Sequence, residues 1–147
     1  MNMQLSKTPI GLDGIPAAET VLSHVDGERG ELIIAGERVG DLARKTGFEG
    51  VTARLWSGGT GQPVGEAAVR AALGAGRERA FARLPDLLGI TRGLSIVDGF
   101  RAAVAGLRAE AGLAHEATIV GAFPVIAGAL VQRVRGNDPV APDPTAS

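Results

Sequence analysis

Few residues in this chain are equipped for chemistry. His24 and His115 are the only imidazoles among 147 residues, and there is no cysteine. That removes thiolate zinc sites, disulfide frameworks and cysteine nucleophiles together, and leaves metal ligation to two histidines and the carboxylates. Neither histidine has a second ligand or a triad partner at a telling spacing, so both read as structural or solvent-facing groups. The string Gly58-Gly59-Thr60-Gly61-Gln62 would let backbone N–H groups approach a phosphate, but the Lys and Ser/Thr that complete a nucleotide loop do not follow it. It reads as a plain helix-to-helix loop. Glu19, next to Thr20, could be a lone catalytic carboxylate or, more simply, part of a local hydrogen bond that shapes a loop.

Arginine is the one abundant polar binder, with 13 copies against only Lys7 and Lys45. Its planar fork clamps carboxylates and phosphates, yet here the arginines are scattered, which is the pattern of a solvated or ion-paired surface. Trp56, the single tryptophan, reads as a core or interface anchor. Composition, periodicity and spacing therefore assign no catalytic, cofactor-binding or metal-ligating residue.

The elements available to position any such group are limited by length and composition. The chain is 45% hydrophobic and 21% charged, with 15 basic against 16 acidic residues, which suits one ordinary globular unit and argues against a nucleic-acid partner. No apolar core of a signal peptide occurs in Met1 to Ile10, so the expected location is cytoplasmic. Ala117 to Val131 is free of charge but falls short of the roughly 20 residues that span a bilayer, and it is expected to be a buried core helix rather than a membrane segment.

Residues 10–36 contain two short apolar runs, Thr20 to Val25 and Glu31 to Ala35, separated by the turn former Asp26-Gly27-Glu28-Arg29-Gly30, which predicts a small hairpin. Residues 37–136 read as helices. Val39, Leu42 and Ala43 share the face of a short helix with Gly47 as its C-terminal cap. Phe48, Val51, Thr52 and Leu55 share the face of a second, stopped by Gly58-Gly59. Pro63 to Leu88 is helical with a break expected near Gly74 to Gly76 and a fresh start at Pro85. Ser95 is an N-cap with Asp98 three residues on, followed by Phe100, Val104 and Leu107 on one face. A final helix from near Glu116 to about Arg135 carries Ile119, Phe123, Ile126 and Leu130 in register and is apolar all round, so neighbours are expected to enclose it. Arg133 and Arg135 suit the negative end of its dipole, and residues 137–147 form an extended, proline-rich tail.

Several of these segments, in this order, resemble citrate synthases. Gly11-Leu12-Asp13-Gly14-Ile15-Pro16-Ala17-Ala18-Glu19-Thr20 and Val25-Asp26-Gly27-Glu28-Arg29-Gly30-Glu31-Leu32-Ile33-Ile34-Ala35-Gly36 are similar to the amino-terminal region of that family, and Gly40-Asp41-Leu42-Ala43 follows in the place of its Asp-Leu-Ala helix. Leu55-Trp56-Ser57-Gly58 resembles its Leu-x-x-Gly turn, and Asp98-Gly99-Phe100-Arg101-Ala102-Ala103-Val104 its Asp-x-Leu-Arg-x-Ala-Val helix. The proline-containing last helix with Gln132-Arg133-Val134-Arg135-Gly136 is similar to the family's proline helix and its Arg-x-x-Gly exit. Between Gln62 and Arg79 the family's Leu-Pro-Thr start is reduced to Gln62-Pro63-Val64.

The resemblance implies a mainly α fold: a small N-terminal β-hairpin followed by a helical array like the start of the citrate synthase large domain, with residues 1–147 as a single partial domain. It implies part of an acyltransferase that condenses acetyl-CoA with oxaloacetate. The aspartate and two histidines that the family uses lie in its later motifs, and neither His24 nor His115 matches one of them. No catalytic residue is carried over, no cofactor is expected on these residues, and acetyl-CoA is the substrate of the complete enzyme only. Alone, the chain is expected to be inactive. Its expected partner is a C-terminal citrate synthase chain or a full-length citrate synthase, with a homodimer as a further assembly and neither nucleic acid nor membrane. The alternative is a non-catalytic paralogue that binds and regulates a full-length enzyme.

Overall fold

The computed structural model describes residues 19–108 and 113–146. The first element is an antiparallel sheet of β1 (Ser23–Asp26), β2 (Glu31–Ile34) and β3 (Glu37–Arg38) in the order β1-β2-β3. The expected hairpin is present, with Val25 opposite Leu32 and His24 opposite Ile33. Its turn forms because the Asp26 carboxylate accepts from the N–H groups of Glu28 (3.1 Å) and Arg29 (3.0 Å), and Gly30 takes φ +64°. The third strand was not expected. Ala35 (φ 47°) and Gly36 (φ 83°) form the left-handed pair that a tight two-residue connection requires, so β2 turns straight into β3.

Six helices follow among the described residues, in the region expected to be helical. Helix α1 (Val39–Lys45) buries Leu42, but Ala43 is exposed. Gly47 does not cap it: Thr46 ends the helix by donating its N–H to the Leu42 carbonyl, and Gly47, extended at φ −74°, is the N-cap of α2 (Phe48–Thr60). Helix α2 runs through Gly58-Gly59 and stops two residues later at Gly61, which is left-handed at φ 69° and donates its N–H to the Ser57 carbonyl. Its buried side is rotated from the expected face. Glu49, Gly50, Thr52 and Ala53 are buried, whereas Phe48 is 62% exposed, because α3 (Glu66–Ala82) and not the sheet covers it.

Helix α3 is unbroken, contrary to the expected interruption near Gly74 to Gly76. Both glycines are buried. A Cβ at Gly76 would collide with the carbonyl oxygen of Ala117 in α6 (Leu113–Val134), and one at Gly74 with that of Pro144. From the other side, a Cβ at Gly121 would lie 2.8 Å from the Leu73 carbonyl oxygen and 3.0 Å from the Arg77 nitrogen. Glycine here admits a close backbone approach between two continuous helices, rather than breaking either.

Helix α4 (Leu84–Gly89) starts afresh with Pro85 in its first turn. Helix α5 (Ile96–Ala105) has the expected cap: Ser95 Oγ accepts from the Asp98 N–H at 3.1 Å and donates to the Asp98 carboxylate at 2.8 Å. The main core unites Ala80, Leu84, Leu87, Ala103, Ile126 and Leu130, from α3 to α6, with Phe100, Val104 and Leu107 packed on it. A smaller core of Ala53, Val69 and Leu73 takes in Trp56 and Val120.

Helix α6 is not enclosed. Its inner side is buried, but Phe123 is 42% exposed and Val134 68%, and Pro124, Ala127 and Gly128 face out with them. Its apolar stretch, His115–Val134, is longer than expected and would suffice to cross a bilayer by length and composition, yet its inner stripe is packed on α3 and α5 as in a core helix. The tail is non-helical, as expected, but it folds back so that Pro144 lies against Gly74.

Two glycine substitutions should therefore have opposite signs. Gly76→Ala should destabilise the fold by about 1–3 kcal/mol, since backbone must move to accommodate one methyl group. Gly59→Ala, in a helix with no atom within 4 Å of the new Cβ, should stabilise it by about 0.5–1 kcal/mol. Equilibrium urea unfolding of the two variants measures both, and equal signs would refute the assignment of Gly76 to a close approach.

Candidate functional site

The residues singled out for chemistry are not brought together. His24 is exposed on β1, and His115 lies half-buried in the first turn of α6. Among the described residues no group of three or more His, Asp or Glu side chains is placed to hold a metal ion. Glu19 is exposed, and the hydrogen bond that shapes its neighbourhood comes from Thr20, whose Oγ1 accepts from the Leu22 N–H at 3.1 Å.

The glycine-rich string is a helix end and not a loop over its whole length. Gly58, Gly59 and Thr60 are helical, the Thr60 hydroxyl donates back to the Trp56 carbonyl at 2.7 Å, and Gly61 closes the helix. This is the C-terminal, negative end of a helix dipole, which disfavours a phosphate. Trp56 is half-buried against the smaller core, as an anchor.

Several arginines are paired with nearby acids at the surface: Arg38 with Glu31 at 2.5 Å, Arg44 with Asp41 at 2.6 Å, Arg54 with Glu37, and Arg101 with Asp98 at 3.7 Å. The Arg54–Glu37 pair ties α2 to β3. Arg70 lies between the buried Glu49, at 3.9 Å, and Glu66, at 3.5 Å.

Two arginines do something the sequence did not reveal. Arg133, expected to serve the dipole of its own helix, instead reaches across to the end of α4. Its Nη1 donates to Thr91 Oγ1 at 2.7 Å and to the Leu88 carbonyl at 3.4 Å, and its Nη2 to the Thr91 carbonyl at 3.3 Å. It thus adds a charged donor to carbonyls that already accept from Thr91 and Leu94 N–H groups, and ties the end of α6 to the turn after α4. Arg77 donates Nη2 to the carbonyls of Pro144 (3.1 Å) and Ala146 (2.6 Å), pinning the tail to α3. No one-dimensional pattern marks either arginine, because their partners lie 42 to 69 residues away in sequence.

Beside this clamp, Asp143 accepts from the Thr145 hydroxyl and N–H, each at 2.7 Å. The Thr145 hydroxyl, then its N–H, and also the Arg77 cation hold the Asp143 carboxyl below its ordinary range.

A mainly helical scaffold with locally paired charges, no assembled catalytic constellation among the described residues and one uncovered apolar helix face is thus what the geometry defines. The family model described as "Citrate synthase, C-terminal domain" matches residues 11–147, and the chain belongs to the citrate synthase family. The citrate synthase of Haloferax volcanii is 43% identical over 56 residues, a stretch covering 38% of this chain and 14% of that relative. The family expected from the motifs is the family matched; those in Gly11 to Ala18 lie outside the described residues.

Two outcomes follow from the arginine contacts. Arg133→Met, which keeps the length of the side chain but removes its donors, should cost about 1–3 kcal/mol in thermal or urea unfolding. A loss within error of zero would show the contact to be dispensable. Because the Asp143 pKa is lowered in the folded chain, its contribution is present above the unfolded carboxylate range and is lost as pH falls through the folded value. Amide exchange at Thr145 should accordingly rise relative to that of α6 as the solution is acidified, and a constant ratio would contradict the assignment.

Proposed function

We propose that these residues supply the amino-terminal part of the large domain of an enzyme that condenses acetyl-CoA with oxaloacetate to give citrate and CoA. The family match over residues 11–147 supports the citrate synthase chemistry, and the order of the motifs from Gly11 to Gly136 supports the amino-terminal placement. The reaction needs a base for the methyl proton of the thioester, a donor to the developing enolate and cations for the carboxylates of oxaloacetate. Neither His24 nor His115 lies in a segment that resembles the family's histidine motifs, so the catalytic side chains come from polypeptide outside these residues, of the same family, in a cytoplasmic assembly.

That polypeptide packs on the outer side of α6. Phe123, Ala127, Val131 and Val134 present an apolar strip with no charged residue among them, and covering it removes apolar surface from water. In this assembly the chain is scaffold: it joins α6 to α3 through the glycine crossing and to the end of α4 through Arg133, and binds no cofactor of its own.

The test is reconstitution. The chain is mixed with a citrate synthase chain that carries the family's histidine and aspartate motifs but lacks the counterpart of residues 11–147, and thiol release from acetyl-CoA is followed with oxaloacetate present. The expected result is activity that neither chain has alone and that saturates at one chain per partner. Val134→Glu, at a position 68% exposed and free of core contacts, should raise the partner concentration needed at least tenfold while leaving the fold intact. Stable association without activity would overturn the catalytic reading in favour of a non-catalytic regulator.

A further inference from the structure

The chain contains three Asp-Gly pairs, Asp13-Gly14, Asp26-Gly27 and Asp98-Gly99, of which the first lies outside the described residues. An aspartyl carboxyl followed by glycine is open to attack by the next main-chain nitrogen, because a residue without a Cβ lets that nitrogen approach unobstructed. The folded chain treats the two described pairs in opposite ways. Asp98-Gly99 lies within α5, where the Gly99 N–H donates to the Ser95 carbonyl at 2.8 Å and the Asp98 carboxylate accepts from Ser95 Oγ at 2.8 Å. Leu130 and Thr91 stand 3.4 Å from the place of a Gly99 Cβ. Bringing the Gly99 nitrogen onto Asp98 Cγ would break the helical bond and shift backbone that these side chains hold in place.

Asp26-Gly27 is free of these restraints. Gly27 is exposed, no atom lies within 4 Å of the place of its Cβ, and its N–H donates no hydrogen bond among the described residues. The Asp26 carboxyl is meanwhile folded back over the turn, where Oδ1 accepts from the N–H groups of Glu28 (3.1 Å) and Arg29 (3.0 Å). The loop closed by the Glu28 bond contains Asp26 Cγ, Cβ, Cα and carbonyl carbon and the Gly27 nitrogen, which are the ring atoms of a cyclic imide. Both N–H groups also donate to the oxygen on which charge collects when nitrogen adds to Cγ, as the donors of an oxyanion hole do.

We infer that the β1–β2 turn is a site of spontaneous self-modification, at which Asp26 converts to isoaspartate through a cyclic imide with Gly27. The step needs no reagent but water, and nothing is oxidised or reduced. The Gly27 nitrogen bonds to Cγ and gives up its proton, and the hydroxyl of the protonated carboxyl leaves with that proton as water. A second water then opens the imide. Addition at Cγ restores aspartate, whereas addition at the Asp26 main-chain carbonyl leaves the chain running through Cβ and Cγ, with the former main-chain carbon as a free carboxylate. The product lengthens the main chain by one carbon and removes the acceptor of the Glu28 and Arg29 N–H groups, so the hairpin loosens while the helices keep their packing. The inference does not depend on the citrate-forming reading.

The test is to age the full chain for several weeks at neutral pH and body temperature, folded and, in parallel, unfolded in guanidinium. Electron-transfer fragmentation of its peptides then reads isoaspartate position by position. In the unfolded chain Asp26 and Asp98 should convert at rates within about threefold of each other, since neither is then held by structure. Folding should slow Asp98 by about tenfold or more and leave Asp26 within about threefold of its unfolded rate. Gly27→Ala, at a position that is not left-handed and has open space around it, should fold normally and slow conversion at Asp26 by about tenfold. Amide exchange at Glu28 and Arg29 should speed up in the converted fraction, with α6 unchanged. Folding that protects Asp26 as strongly as Asp98 would overturn the site. An unchanged rate in a folded Gly27→Ala chain would overturn the role given to the Gly27 nitrogen.

Discussion

The backbone contact between α3 and α6 governs the architecture. Gly76 on one helix and Gly121 on the other leave room for carbonyl oxygens and amide nitrogens where side chains would otherwise stand, and Gly74 does the same for the returning tail. Helical glycine is unfavourable by about 0.5–1 kcal/mol per residue relative to alanine. Close packing of two long helices offsets that cost, because dispersion falls off steeply with even small gaps. Once the two helices cross at this distance, the remaining elements have little choice. The smaller core forms where α2 meets them, and the larger core forms where α4 and α5 close over their other end.

Alanine supplies much of this interior: Ala80, Ala103, Ala117, Ala122 and Ala129 are all buried. Small residues allow short separations but bury little area each, so polar contacts between distant segments carry a larger share of the definition. Arg133 is the clearest. A long side chain at the end of α6 reaches the carbonyls at the end of α4 and the buried Thr91, and in doing so orients the turn that leads into α5. Arg77 plays the corresponding part for the tail. Arginine suits both positions because it keeps its charge and offers several donors in a fixed plane.

The division of α6 into a packed side and an uncovered side connects the fold to the family. A helix apolar on every side would be enclosed in a self-sufficient unit, and here the covering is one-sided. Several surface charges are paired within short segments of the chain, and the uncovered side of α6 is apolar.

Much of the chain's organisation was determined by the sequence alone. Local signals sufficed for the Asp26 turn, the Ser95 cap and the Pro85 start, since each depends on residues within three or four positions of one another. The citrate synthase motifs were legible for the same reason, being short and ordered along the chain. Where distant segments meet is set by tertiary packing. Gly74 to Gly76 looked like a break because a glycine's local cost is visible in sequence while the backbone of α6 that compensates for it is not. Phe48 and Ala43 look like core by periodicity and are exposed, because a helical repeat fixes which residues share a face but not which face is covered. The reach of Arg77 and Arg133 and the uncovered side of α6 are of this second kind: they arise from packing between residues far apart in the chain, which local propensity does not encode.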